Sequence, residues 1–362
     1  FSIIGDQPFG ANILYNGDPA ASTLGGVKAD INSDALTFLL RYKLNNNVSV
    51  FGGPRVQRAG GAVALNGQAY AKSFAGLAGA QNLATALQSS TTGQAELQTL
   101  AGLGDVGTIL AGVALNETAA GFAITRLTTA GFGAEITTAQ TLTSSVNGAA
   151  GLFTTAGGYS AVLDQDWGVG YSIGAAYEIP DIALRLAVAY NSTVEHNSNT
   201  LENSFADPNA TGVSTFETPQ SINVDFQTGV NENTLLLAGY RWSNWGDFDL
   251  IPATLGLDLA NLDDGHRWNL GLARRFNEEL VGLASLTYEK DGGGATVSPL
   301  GPTDGIIGLS VGGRFTTGNL NISGGVSYSI LGSANAGVAD TAVASFTDNS
   351  AVGVGFKLEY SF

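Results

Sequence analysis

Alternation dominates this chain. From Val352 to the end, Val352, Val354, Phe356, Leu358, Tyr360 and Phe362 fall on one face, and Gly353, Gly355, Lys357, Glu359 and Ser361 on the other. A strand turns successive side chains to opposite faces, so this pattern predicts a strand with one greasy wall and one small or charged wall. Its 11 residues, tilted, are enough to cross a bilayer. The same period, bounded by turn residues, predicts twelve strands: 1–15, 34–44, 48–66, 169–179, 182–197, 221–229, 234–249, 266–275, 280–290, 305–316, 320–332 and 350–362. Their connections alternate short and long. Short turns fall at Asn45, Pro180, Asn231, Asn277 and Gly318, and long connections cover 16–33, 67–158, 198–220, 250–265, 291–304 and 333–349. Outer-membrane barrels have this asymmetry, with short periplasmic turns and longer external loops.

The aromatic residues test that orientation. Tyr42, Tyr177, Tyr360 and Phe362 fall at the short-turn ends of strands, whereas Tyr190, Tyr240, Trp242, Trp268, Tyr288 and Tyr328 fall at the long-loop ends. Two girdles at two interfaces are expected of a membrane barrel. A soluble β-sandwich also alternates, but it gathers its aromatics mid-strand in a core.

Composition narrows the class. The chain has 362 residues, 50 of them glycine, and 13% are charged, with a mean hydropathy of +0.14. No run of about eighteen apolar residues is present to form a spanning helix, and the other structure that satisfies its backbone inside lipid is a closed barrel. Cysteine is absent, which fits an oxidising compartment. Methionine is absent too, which places the start after an initiator and any signal peptide. The abrupt start of a strand pattern at Phe1 suggests that further residues precede it. A net charge of −16 argues against nucleic acid as a partner. The expectation is an all-β, antiparallel transmembrane barrel, one domain over 1–362, integral to a bacterial outer membrane. Its neighbours would be outer-membrane lipid and lipopolysaccharide, with the barrel-assembly machinery engaging the C-terminal strand.

Several stretches resemble the FadL/TodX family of outer-membrane channels for hydrophobic compounds. They are Leu36-Thr-Phe-Leu-Leu-Arg-Tyr-Lys-Leu-Asn-Asn-Asn-Val-Ser-Val-Phe51, Asp166-Trp-Gly-Val-Gly-Tyr-Ser-Ile-Gly-Ala-Ala-Tyr-Glu178, and Thr218-Pro-Gln-Ser-Ile-Asn-Val-Asp-Phe-Gln227 with Leu237-Ala-Gly-Tyr-Arg-Trp-Ser-Asn-Trp-Gly-Asp-Phe248. The resemblance implies a fourteen-stranded barrel plugged by an N-terminal hatch, of which the twelve strands here would be the third to the fourteenth. The family's Asn-Pro-Ala hatch motif and first two strands do not occur in this sequence, which is read as part of a longer plugged barrel, the alternative being a member that lacks the plug.

Three groups of residues carry candidate function. In Gly5-Asp6-Gln7-Pro8-Phe9-Gly10 a proline interrupts a strand pattern, and a residue that cannot donate to a ladder predicts a local break. The resemblance implies that this break is a lateral gate; the plain alternative is a frayed start or a bulge. The 67–158 insertion holds six charged residues, and Phe74, Leu77, Leu83 and Leu87, then Leu97, Leu100 and Leu103, recur at helical spacing. The resemblance implies an external ligand-capture loop, and packing of the insertion on itself is the competing reading. Arg41, Lys43, Glu178, Arg185, Asp225, Arg241, Arg267, Lys357 and Glu359 point inward by parity. Of these, Arg185, Arg241 and Arg267 are placed in the middle or outer half, where a guanidinium can hold a carboxylate.

Other chemistry is weak. His196 and His266 are the only histidines, and Asp263-Asp-Gly-His266 has no nucleophile motif beside it. Asp164-Gln-Asp166 and the pair Asp247 and Asp249 lack a full calcium loop. No catalytic residue, cofactor or metal is assigned. The expected function is passive uptake of hydrophobic molecules, long-chain fatty acids first, with lateral release into the membrane. A structural or adhesive barrel and a general porin are the alternatives.

Overall fold

Three of the five short turns share one device. At Asn45 the side-chain oxygen accepts the backbone N–H groups of Asn47 (2.9 Å) and Val48 (2.8 Å). Asn277 does the same for Glu279 and Leu280, and Asn231 accepts from Asn233. An asparagine that mimics a backbone turn returns the chain at once, so adjacent strands become antiparallel neighbours. In this computed structural model, which describes residues 1–146, 151–204, 207–260, 262–339 and 341–360, the strands join one large sheet.

In chain order the elements begin with β1 (Ser2–Asp6), β2 (Gly10–Leu14), β3 (Lys28–Lys43) and β4 (Val48–Leu65). Helices follow: α1 (Gly67–Gln88), α2 (Thr91–Ala101), α3 (Val106–Ala114), α4 (Gly121–Thr129), α5 (Gly133–Val146) and the single turn α6 (Leu152–Thr155). Then come β5 (Tyr159–Ile179), β6 (Leu184–Asn191), β7 (Val194–Asn203), β8 (Ala210–Thr218), β9 (Ser221–Asn231) and β10 (Thr234–Ser243). The chain continues through β11 (Gly265–Arg275), β12 (Leu280–Glu289), β13 (Ile306–Thr317), β14 (Leu320–Leu331), β15 (Ala334–Val338), β16 (Thr341–Phe346) and β17 (Ser350–Tyr360).

The main path runs β1-β3-β4-β5-β6-β9-β10-β11-β12-β13-β14-β17, with antiparallel pairing at each step. Among the described residues no pairing joins β1 to β17. The sheet nevertheless curls on itself: the Phe9 ring, just past β1, packs edge-on against Trp245, just past β10, at 5.1 Å. Those elements lie far apart along the path, so the sheet forms a wall around an interior.

The two faces of that wall differ as the alternation requires. Leu40 (73% exposed), Val354 (80%) and Leu358 (58%) stand on the outside, while Ser49, Thr37, Gln57, Ser172 and Ser221 are buried on the inside. Large apolar side chains outside and polar ones within invert a soluble core, and lipid is the medium that suits such an exterior. The outer girdle is continuous across strands, since Tyr240, Trp268, Tyr288 and Ile307 are successive cross-strand partners. Phe362, expected in the inner girdle, lies outside the described residues.

Departures from the expected strands have physical causes. β5 starts at Tyr159 rather than 169, and the 198–220 connection contains the end of β7 and all of β8. On β7 the inward residues are His196, Ser198, Thr200 and Glu202, so both faces are polar and no hydrophobic period marks the strand. The 333–349 connection holds the β15–β16 hairpin, built from small residues. The first strand is two strands, β1 and β2, both paired to β3.

Candidate functional site

The interruption between β1 and β2 is a register defect of one residue. β1 ends with Asp6 opposite Ala35, and β2 resumes with Gly10 opposite Asn32, so Gln7, Pro8 and Phe9 face Ser33 and Asp34. Pro8 contributes no N–H. Ser33 stands in for the ladder: its hydroxyl accepts from the Phe9 N–H (3.1 Å) and donates to the Phe9 carbonyl (2.7 Å). On the outer side Asp34 accepts from Gln7 (3.1 Å) and Arg58 (2.8 Å), and the Arg58 guanidinium lies over Trp167. The glycines matter unequally. A Cβ at Gly5 meets open space, whereas at Gly10 it would come within 3.1 Å of the Ile31 carbonyl.

Inside the wall at this level lie two cavities of different character. One, of about 310 Å³, is mixed, with apolar Ile4, Leu39 and Phe51 beside the polar and charged Asp6, Thr37, Arg55, Gln57, Asp225 and Arg241. Arg55 pairs with Asp6 at 3.4 Å. Arg241 donates to Ser243 and lies 5.8 Å from the Phe9 ring, and it makes no ion pair among the described residues. The Thr37 hydroxyl and the Gln57 amide nitrogen, on residues at most 2% exposed, have no hydrogen-bond partner among the described residues. Buried donors in that state favour an occupant that can accept hydrogen bonds. The other cavity, of about 250 Å³, is apolar, walled by Ile31, Leu163, Phe216, Phe248, Leu259 and Leu300 among others. Phe9 lines both.

Of the expected cations, Arg241 is the one brought to a cavity with no direct ion pair among the described residues, although Asp6 and Asp225 line the same space. Arg267 is tied to Glu289 at 2.7 Å. Arg185 was expected in the middle or outer half; it sits beside the short turn at Pro180 and pairs with Glu178 (3.4 Å), which also binds Arg41 (2.7 Å). It therefore belongs to an ion triad at the short-turn end. Arg55 was missed by sequence reasoning, although parity with Ser49 and Gln57 on β4 places it inside.

The 67–158 insertion is helical, and its leucines divide. Leu83, Leu87 and Leu100 are fully buried with Leu110, Val113 and Leu127 in a core of the insertion's own. That burial corrects their assignment to ligand capture: they pack helix on helix. Leu97 packs partly against the same core, and Leu103 is 59% exposed. Phe74 and Leu77 line an open groove of about 880 Å³ between the α1 and α5 helices and the β7 hairpin. Leu87→Ala should destabilise the insertion by about 2–5 kcal/mol, read as faster proteolysis within 67–158, with barrel strands unaffected.

The outer end is held by one buried carboxylate. Glu202, 1% exposed, accepts from Tyr159 Oη (2.7 Å), the Thr254 N–H (2.8 Å), the Leu255 N–H (2.9 Å) and Thr200 Oγ1 (3.3 Å). Burial alone would raise its pKa, but these hydrogen bonds outweigh that and hold it below the ordinary glutamate value. Several of the remaining acidic and histidine candidates hold structure. Asp264 accepts from Trp242 Nε1 and the Gly246 N–H, His266 contacts Tyr240 Oη at 2.9 Å, and Asp166 accepts from the Asn197 N–H. The buried His196 ring stacks on Phe216.

No family model matches the sequence, and no curated protein does either. Solved structures do. A Pseudomonas aeruginosa FadL homologue aligns over 99% of this chain and 72% of its own, with a TM-score of 0.58 at 13% identity. The Ralstonia pickettii toluene transporter TbuX aligns over 99% of this chain and 76% of its own, with a TM-score of 0.54 at 12% identity. At such identities the likeness is one of fold: this chain is built like the FadL/TodX-type transporters of hydrophobic compounds.

Proposed function

We propose that this protein is an outer-membrane channel through which hydrophobic molecules pass passively into the membrane. The observation that carries the reading is the apolar cavity set directly against a one-residue interruption of the wall, with Phe9 common to both. Hydrocarbon leaving water for such a cavity and then for lipid runs downhill by roughly 0.8 kcal/mol per buried methylene, so no energy source is required. The interruption is the exit. Similarity of fold to a FadL homologue and to a toluene transporter supports the reading.

Among hydrophobic ligands, a long-chain fatty acid suits the paired cavities: tail in the apolar one, carboxylate against Arg241, the Arg55 guanidinium and the Gln57 amide. Uptake of a labelled long-chain fatty acid and of a neutral hydrocarbon by cells with and without the protein tests both levels. Equal uptake of both probes in the two strains sinks the channel. Arg241→Gln should lower acid uptake about tenfold or more, the scale of a lost charge-assisted hydrogen bond, and leave the hydrocarbon untouched. If acid and hydrocarbon fall together, the head-group role is wrong.

A further inference from the structure

Residues 250–260 stand between the outer groove and the interior. Thr254 and Leu255 line the groove, Leu255, Leu257 and Leu259 line a side chamber of about 490 Å³, and Leu250, Leu259 and Ala260 line the apolar cavity inside the wall. One short loop thus borders three spaces in succession. The side chamber is greasy on its other flanks, with Leu65, Tyr70, Phe74 and Val338, and Phe74 reaches the groove as well. The loop is built as a unit. Its neck is closed by the Leu259 N–H donating to the Leu250 carbonyl (3.0 Å), and Asp258 Oδ1 accepts from the Leu250 N–H (2.8 Å) and the Ala260 N–H (3.0 Å). Nearer the tip the Gly256 N–H donates to the Pro252 carbonyl (2.9 Å). A compact loop with joined ends keeps its shape when it moves. The tip is held to the β7–β8 hairpin by a different kind of contact: Glu202 accepts the Thr254 and Leu255 N–H groups, and Ala253 lies so near Gly212 that a Cβ there would meet the Ala253 Cβ at 2.4 Å.

From this arrangement we propose that the 250–260 loop is the entry lid of the channel, swinging from the β7–β8 hairpin about its neck so that groove, side chamber and apolar cavity become one path. The proposal rests on the channel reading above and adds the place where entry is controlled. Leu255 and Leu259 are the residues that matter at rest, because each borders two of the spaces a hydrophobic molecule crosses in turn. When the tip lifts, both withdraw together. The loop's internal hydrogen bonds survive that motion, and the contacts that break are those at Glu202 and Gly212. A local opening of this size leaves the rest of the fold intact.

The test ties the tip down. The chain has no cysteine of its own, so Gly212→Cys with Ala253→Cys gives a single possible disulfide within it. Relaxed disulfides hold their Cβ atoms about 3.8 Å apart, so a retreat of the loop by about 1–2 Å seats the bond. Cells carrying the pair are oxidised, cross-linking is verified by mass spectrometry of the linked peptides, and uptake of a labelled neutral hydrocarbon is followed before and after reduction. Uptake should fall to the level of cells lacking the protein when the bond is formed and return when it is reduced, which makes each sample its own folding control. Gly212→Leu, which wedges the tip outward with no cross-link, should take up probe at the parental rate or faster. Undiminished uptake by the cross-linked protein, or loss of uptake in Gly212→Leu with the barrel folded and inserted, overturns the lid and leaves the channel standing. No uptake by the parent protein removes the channel and the lid with it.

Discussion

Deletion of Pro8 should bring uptake of a hydrophobic probe down to the level of cells lacking the protein, while the barrel still folds and inserts. The reason is arithmetic. β1 pairs 6 with 35 and β2 pairs 10 with 32, so removing one residue between them makes the pairing continuous, with Gln7 opposite Asp34 and Phe9 opposite Ser33. Both pairs already touch through side chains, Gln7 with Asp34 and Phe9 with Ser33, so the repaired strand keeps its faces. Each ladder hydrogen bond gained contributes about 0.5–1.5 kcal/mol, and the variant should resist heat at least as well as the parent. Pro8→Gly serves as the control, because it keeps the extra residue and should transport normally. If the deletion variant takes up probe at the parental rate, the interruption is not the exit.

The second large effect concerns the outer cap. Glu202→Ala leaves the Thr254 and Leu255 N–H groups buried without an acceptor, at about 1–3 kcal/mol each, and the 250–260 connection should lift from the β7 hairpin. Acid should do the same to the parent protein. The folded-state pKa of Glu202 lies below its unfolded value, so its contribution is complete above the unfolded pKa and is lost as pH falls through the folded one. Protection of the Thr254 and Leu255 amides, taken as exchange relative to the intrinsic rate at each pH, should therefore fall on acidification in the parent and be lost at all pH values in Glu202→Ala. Protection that persists in the variant contradicts this assignment.

How much of this was legible in the sequence depends on which medium each face meets. Strands with an exposed apolar outer face, such as β11 to β14 and β17, advertise themselves, because nearly every second residue is apolar. The β7–β8 hairpin was hidden, since Ser198, Thr200 and Glu202 face a polar interior and Asn197 and Asn199 face outward. In the insertion, helical spacing identified helices but not their company: Leu83 and Phe74 belong to one stripe, yet one is buried between helices and the other lines a groove. A leucine reads the same in either setting. Arg185 was placed too far out although it lies only a few residues beyond the Pro180 turn, and Arg55 escaped notice behind Gly52-Gly53-Pro54, a stretch that looks like a breaker. The Asp6–Arg55 contact joins strands separated by β3 on the sheet path, which no local pattern encodes.

Phe9 has one more consequence. Its ring is the partition between the two chambers, and its backbone is the last link before the chain re-enters the ladder at Gly10. Trp245 and Arg241 brace that ring from the opposite side of the barrel. If the interruption is the exit proposed above, a shift of the 7–9 backbone should not stay local: it would draw the dividing ring away from Trp245 and Arg241 and join the two compartments into one passage.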